Sequence, residues 1–236
     1  MAAWSVAKLS VPFLEGNAQW SASMNTSHPG FLYNLSLAQA PPIVWIGCSD
    51  SRIPESVITD QLPGQIFTHR NIANQFQVKD NNAGAVVEYA VDHLNVSNIV
   101  IVGHTGCGGI KAVYDAVNFT SYISDHPDHT GCAHIVSTKP TDDPLNNFLI
   151  PITKLRQCLP ANATNMDLTV ANVQMQVQNV YKSSIFKKAW ETTPGREMCV
   201  HGWLYDLSTG LLSSLGMTTC GNGKVTTDGN GKPKKV

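Results

Sequence analysis

Apolar and polar positions along this chain fall into blocks that predict strands and helices in turn. Pro42-Ile43-Val44-Trp45-Ile46-Gly47 and Asn98-Ile99-Val100-Ile101-Val102-Gly103 are short unbroken apolar runs, the pattern of strands buried on both faces. Residues 65–69 form a third strand candidate, and 197–205 and 210–216 are two more around the turn Ser208-Thr209-Gly210. Helices are expected over 11–24 and 31–39, separated by the turn cluster His28-Pro29-Gly30, and helical spacing of apolar positions marks 82–94. Pro54 suits the first turn of a short helix through 59, another helix covers 110–118, and two or three more cover 145–157 and 168–190. Residues 120–143 are polar and rich in His, Asp and Pro, which reads as a long loop or insertion, and 221–236 reads as a frayed tail. Alternating strands and helices predict an α/β fold, a mostly parallel central β-sheet flanked by helices, in one domain over 1–220.

Composition narrows the function classes. Charged residues are 14% of the 236, against about 25% in ordinary globular chains, while 42% are hydrophobic, so the body of the chain can bury a core. Net charge is −1, which gives no electrostatic footprint for nucleic acid. Lys232, Lys234 and Lys235 cluster only in the Gly-rich tail. No apolar run approaches the roughly 20 residues a membrane span requires. Six cysteines, 48, 107, 132, 158, 199 and 220, are too few to replace a core in so long a chain, so metal binding or catalysis is to be considered for some of them.

Two strand ends carry the chemistry. The first buried strand runs into Cys48-Ser49-Asp50-Ser51-Arg52, and the other central one into His104-Thr105-Gly106-Cys107-Gly108-Gly109. Ligands of open parallel sheets collect outside the carboxyl ends of strands. If the two strands are neighbours, Cys48, His104 and Cys107 converge there. Two thiolates and one imidazole suit zinc, and three ligands leave a fourth position open. A single buried Cys or His is commonly a packing residue, but three at two strand ends, beside glycines or a charged pair, favour one catalytic Zn2+ per chain. Asp50 and Arg52 follow a buried strand, where mutual pairing offsets the cost of burial. The pair either closes the turn as a structural ion pair, or lets Asp50 choose between Arg52 and the metal.

C-S-D-S-R at 48–52, G-Q-I-F-T-H-R-N-I-A-N at 64–74, V-E-Y-A-V at 87–91, G-H-T-G-C-G-G at 103–109 and H-G-W-L-Y-D at 201–206 together resemble the β-class carbonic anhydrases, over a span from the N-terminal helices to Gly216. The resemblance implies a zinc enzyme that interconverts carbon dioxide and bicarbonate by attack of zinc-bound hydroxide. It also implies a homo-oligomer, a dimer or a dimer of dimers, with the N-terminal helices packed on a partner subunit. Cys48, His104 and Cys107 match the family's zinc ligands, and Asp50 and Arg52 its catalytic dyad, with Asp50 as alternative fourth ligand in a closed, inactive form. Gln39 matches a substrate-contacting glutamine, Phe67, Ile72 and Tyr89 the apolar pocket wall, and Gly108 a further substrate-side position. Trp45, Arg70 and Tyr205 fall on the trio that forms a non-catalytic, regulatory bicarbonate pocket in one subgroup.

Some features lie outside the resemblance. The 120–143 stretch, with His126, His129, Cys132 and His134, is longer and more polar than the family requires; a solvated loop is favoured there over a second metal site. Cys132, Cys158, Cys199 and Cys220 remain after zinc takes two, and four cysteines allow three full pairings. With five N-x-S/T sequons (at Asn25, Asn34, Asn95, Asn118 and Asn162) and low charge, they favour a secreted, disulfide-bonded glycoprotein over a cytoplasmic one. Two other functions fit the same zinc ligands: hydrolysis of carbon disulfide or carbonyl sulfide, and non-catalytic zinc or bicarbonate binding.

Overall fold

The computed structural model describes residues 6–116, 142–193 and 196–221, so the expected insertion lies outside it up to residue 141, as does the tail from 222. The described chain divides into two compact units, one within residues 1–40 and one from 41 onward. In the first, α1 (Val6–Ser27) ends where the Thr26 and Ser27 hydroxyls donate back to the Ala22 and Ser23 carbonyls. Gly30, at φ 80°, provides the left-handed residue that starts α2 (Phe31–Leu37). α2 stops short of the expected end at 39. Phe13, Leu14, Trp20, Tyr33 and Leu37 are large apolar side chains left exposed on these two helices.

The second unit is built on five strands in the order β2-β1-β3-β4-β5. They are β1 (Ile43–Cys48), β2 (Ile66–Asn71), β3 (Asn98–His104), β4 (Cys199–Asp206) and β5 (Leu211–Cys220). The first four run parallel, and β5 returns antiparallel along β4. The two unbroken apolar runs are thus β1 and β3, adjacent at the centre of the sheet, where Val44 pairs with Ile99 and Ile46 with Ile101. Successive residues of a strand point to opposite faces. Val44, Ile46, Ile99, Ile101 and Val200 therefore face one core, and Trp45, Val100, Val102 and Tyr205 the other.

The first face is covered by α4 (Asn81–Glu88), α7 (Asn165–Lys182) and α8 (Ser184–Thr192), through Ala83, Val87, Val173, Val177, Val180 and Phe186. The other is covered by α5 (Gly108–Ala116) and α6 (Pro144–Cys158), through Ile110, Val113, Leu149 and Ile152. α3 (Glu55–Ile58) is a single short turn after Pro54.

Three details refine the sequence pattern, the first by deciding between the two or three helices expected over 145–157 and 168–190. The 168–190 run is two helices, broken at Ser183, whose hydroxyl accepts the Phe186 N–H and caps the second helix. The 82–94 run is α4 followed by a π turn over Tyr89–His93. β5 runs on to Cys220, past a register shift on β4 between Gly202 and Trp203 that Gly216, at φ 75°, accompanies.

Candidate active site

Cys48 is the last residue of β1 and His104 the last of β3, so neighbouring strands deliver both to one edge. The turn after His104 is closed by Gly106, at φ 65°, and brings Cys107 to the start of α5. The two sulfurs lie 3.9 Å apart, and all three donor atoms fall within 4.8 Å of one another, on buried residues. His104 Nδ1 lies 2.9 Å from the Thr105 carbonyl, which only accepts, so Nδ1 carries the hydrogen and Nε2 keeps its lone pair. That Nε2 is buried and has no hydrogen-bond partner among the described residues. The donor set fits zinc: an ion about 2.3 Å from each of two sulfurs in a tetrahedron holds them roughly 3.8 Å apart.

The sulfurs are surrounded by N–H groups. The contact with the Cys107 sulfur, in which either thiol can donate, lowers the Cys48 thiol well below its usual range against the opposing effect of burial, and the His104 side chain and the backbone N–H groups of Ala73 and Asp50 act in the same sense. The same contact and burial push the Cys107 thiol up, while Gly109 and Ile110 N–H groups at the start of α5 act in the opposite sense.

Asp50 is turned to Arg52. Arg52 Nε donates to Oδ1 at 2.9 Å, Nη2 to Oδ2 at 2.7 Å, and the Arg52 backbone N–H to Oδ1 at 2.9 Å. This pairing holds the Asp50 carboxyl far below the usual carboxylate range. Arg52 Nη2 also donates to the Gly106 carbonyl at 3.2 Å, tying the dyad to the loop that carries Cys107. Asp50 Oδ2 lies 3.9 Å from His104 Nε2, so the carboxylate borders the donor triangle.

The other expected residues fall in several places. Phe67 and Tyr89 stack at 5.9 Å, Tyr89 on the π turn and exposed, and Phe67 packs on the face of Val44 and Ile46. Ile72 is 37% exposed, and its Cγ2 stands 2.7 Å from where a Cβ on Gly109 would be. Gly108 opens α5 with no neighbour within 4 Å of a Cβ there. Gln39 is exposed in the N-terminal unit. Trp45, Arg70 and Tyr205 lie on three strands of the sheet. Arg70 donates to the Cys48 carbonyl at 2.8 Å and to the Asp50 carbonyl, with Glu55 3.8 Å away. Trp45 is fully buried, edge-on to Trp203, and its indole N–H has no partner among the described residues. Arg70 thus braces the backbone that carries Cys48 and Asp50, a role its strand position alone does not reveal.

Cys199 and Cys220, paired across β4 and β5, are joined by a disulfide, and Cys158 is disulfide-bonded too. Cys48 and Cys107 are free. Cys132 and the histidines of the 120–143 stretch lie outside the described residues.

Parallel strands that end in a buried Cys–His–Cys triangle, with a carboxylate–guanidinium pair at its border, define an α/β protein with a donor group that could hold a metal ion and leave one position open. Comparison with known proteins agrees. The carbonic anhydrase family profile matches residues 43–212. A carbonic anhydrase of Emericella nidulans is 32% identical over 213 residues, 85% of this chain and 81% of that protein. The crystal structure of CafA, a β-carbonic anhydrase of the fungal pathogen Aspergillus fumigatus, is 35% identical with a TM-score of 0.69, covering 87% of this chain and 89% of that one. A structure from a study of two tetrameric β-carbonic anhydrases of Sordaria macrospora is 31% identical with a TM-score of 0.69, covering 87% and 96%. The chain belongs to the β-class carbonic anhydrases, and is an enzyme of that family.

Proposed function

We propose that this chain catalyses the reversible hydration of carbon dioxide to bicarbonate and a proton, with one zinc per chain held by Cys48, His104 and Cys107. The observation that carries the reading is the buried donor triangle beside an Asp50 already engaged by Arg52. With its carboxylate committed to the guanidinium, Asp50 is not taken up as a fourth ligand. It stays ionised and able to accept a hydrogen bond from a reacting water and orient it. Bound zinc supplies the Lewis acidity that makes water a nucleophile, and two thiolate ligands moderate it, so turnover rises toward alkaline pH.

Further parts of the reading follow from particular features. Exposed apolar side chains on α1 and α2 support a homo-oligomer in which these helices pack on a partner, a dimer or a dimer of dimers, as the tetramers of Sordaria macrospora also suggest. Gln39, Phe67, Ile72, Tyr89 and Gly108 are proposed to contact substrate. Trp45, with its unpartnered buried N–H, Arg70 and Tyr205 are proposed as a regulatory bicarbonate site. Disulfide-bonded Cys158, Cys199 and Cys220, with exposed sequon asparagines at 25, 34, 95 and 162, support an extracellular location.

The test is stopped-flow carbon dioxide hydration across roughly pH 6.5 to 9 on protein of measured zinc content. Turnover that rises with pH and disappears on chelation is expected. One zinc per chain with no turnover at any pH would overturn the reading and favour another substrate or a non-catalytic site.

A further inference from the structure

Three amide side chains on α7 are turned onto the turn that follows β2. Asn172 and Gln176 are buried, and Asn179 follows one turn on, so spacings of four and three place them in a single row. Asn172 Nδ2 donates to the Ala73 carbonyl at 2.9 Å. Gln176 Nε2 donates to Asn172 Oδ1 at 2.9 Å, and its Oε1 accepts the Phe76 N–H at 3.0 Å. Asn179 Nδ2 donates to the Phe76 carbonyl at 3.0 Å and to Gln176 Oε1 at 3.1 Å. Buried amides without partners are costly, and here the backbone of Ala73 and Phe76 satisfies them.

That turn requires holding. Ala73 and Asn74 adopt left-handed φ values of 61° and 48°, which residues with a Cβ seldom take. The opposite side is clamped by Asn71, whose Oδ1 accepts the Gln75 N–H at 2.7 Å and whose Nδ2 donates to the Gln75 carbonyl at 2.6 Å. Ala73, secured at its carbonyl by Asn172, is buried in one core with Cys48 and Cys107, its Cβ 3.4 Å from where a Cβ on Gly109 would be, and its N–H favours charge on the Cys48 sulfur. Its neighbour Ile72 packs on Gly109, two residues beyond Cys107.

We propose that Asn172, backed by Gln176 and Asn179, is a positioning residue for the metal centre: it fixes the strained 72–76 turn so that the Ala73 N–H meets the Cys48 sulfur. The proposal rests on the reading of Cys48 as a metal ligand. An N–H donor draws charge from a ligating sulfur and fixes its direction, and loss of such outer contacts typically costs about 10–100-fold in metal affinity or activity.

The experiment compares the full-length wild-type protein with Asn172→Ala, Asn179→Ala and Val177→Ala. Zinc affinity is measured by chelator competition, the sulfur-to-cobalt charge-transfer band by spectroscopy of the cobalt(II)-loaded proteins, and Tm on the same samples. Asn172→Ala should bind zinc about tenfold more weakly and move the band to lower energy. Asn179→Ala, which leaves the Ala73 contact intact, should show a smaller change in the same direction. Val177→Ala removes buried volume from the same helix but none of the hydrogen bonds to the turn, so its Tm should fall while affinity and band stay at wild-type values. Wild-type affinity and band in Asn172→Ala, or equal losses in Val177→Ala, would overturn the proposal. Should Asn172→Ala fail to fold, wild-type values in Asn179→Ala would do the same. Cobalt binding by the wild-type chain with no sulfur band would remove the metal-centre reading itself, and this proposal with it.

Discussion

Gly103 immediately precedes His104, and the close approach of α7 explains why it carries no side chain. A Cβ there would stand 2.6 Å from Val173 Cγ2 and 3.5 Å from Thr169 Cγ2. Carbon contacts settle near 3.6 Å or beyond, so Gly103→Ala requires about 1 Å of separation between β3 and the helix. Val173 is ill placed to yield: it is fully buried and β-branched, and its Cγ1 lies close over Gly202 of the neighbouring strand. Overpacking of this kind costs about 1–3 kcal/mol. Taking about 2 kcal/mol, a chain of this size should lose about 4–8 °C in Tm. Whatever part of the displacement β3 absorbs is passed to His104, and a misplacement of about 1 Å can lower turnover on the order of 100-fold. Thermal unfolding and stopped-flow hydration should be run on Gly103→Ala, Val173→Ala and the double variant. Removing the Val173 methyls makes room for the new one, so the double variant should be more stable than the sum of the singles allows, by about 0.5–3 kcal/mol. A Gly103→Ala protein within 1 °C of wild type, below the roughly 2 °C that even 1 kcal/mol should leave, or strictly additive losses, would refute the reasoning.

Arg52→Ala removes both guanidinium bonds to Asp50 and leaves one backbone N–H, so the carboxylate is free to turn toward the metal; hydration should fall on the order of 100-fold with zinc content unchanged, and activity within threefold of wild type would count against the dyad. The same variant has a pH signature. Because Arg52 depresses the Asp50 value, the stabilisation from the pair is complete above the ordinary carboxylate pKa of about 3.9 and is lost as pH falls toward the depressed value, so any stability gap from wild type at pH 7 should narrow only below about pH 4. A gap that instead closes between pH 5 and 7 would point to another group. The Cys199–Cys220 disulfide closes a segment with a sequence separation of 21, for which the chain-entropy model gives about 3 kcal/mol. Replacing both cysteines by serine should lower Tm by about 6–12 °C, with activity retained because Cys199 lies at the amino end of β4, away from the catalytic edge; a loss under 2 °C would show that the hairpin is held by its ladder alone.

How much of this site can be read from the chain depends on how local each signal is. Cys48, His104 and Cys107 are legible because each follows directly from an unbroken apolar run, and parallel order carries such strand ends to one edge. The glycines at 106 and 109 announce a tight turn in the same few residues. Ser183 and the π turn at Tyr89–His93 are less visible, since a helix continues the same apolar spacing across a one-residue break or one extra residue. The amide row illustrates a different limit. Asn172, Gln176 and Asn179 recur at helical spacing, but polar residues at that spacing ordinarily mark a solvated face. Only the packing of α7 against Gly103 and Gly202 turns them inward, onto a turn about a hundred residues earlier in the chain. Arg70 follows the same logic, since its strand position is evident while its engagement with the Cys48 and Asp50 carbonyls depends on the register of β1 against β2. The groups that touch the reacting atoms are thus encoded in short contiguous segments, whereas those that hold them in place are encoded in the packing between elements distant in sequence.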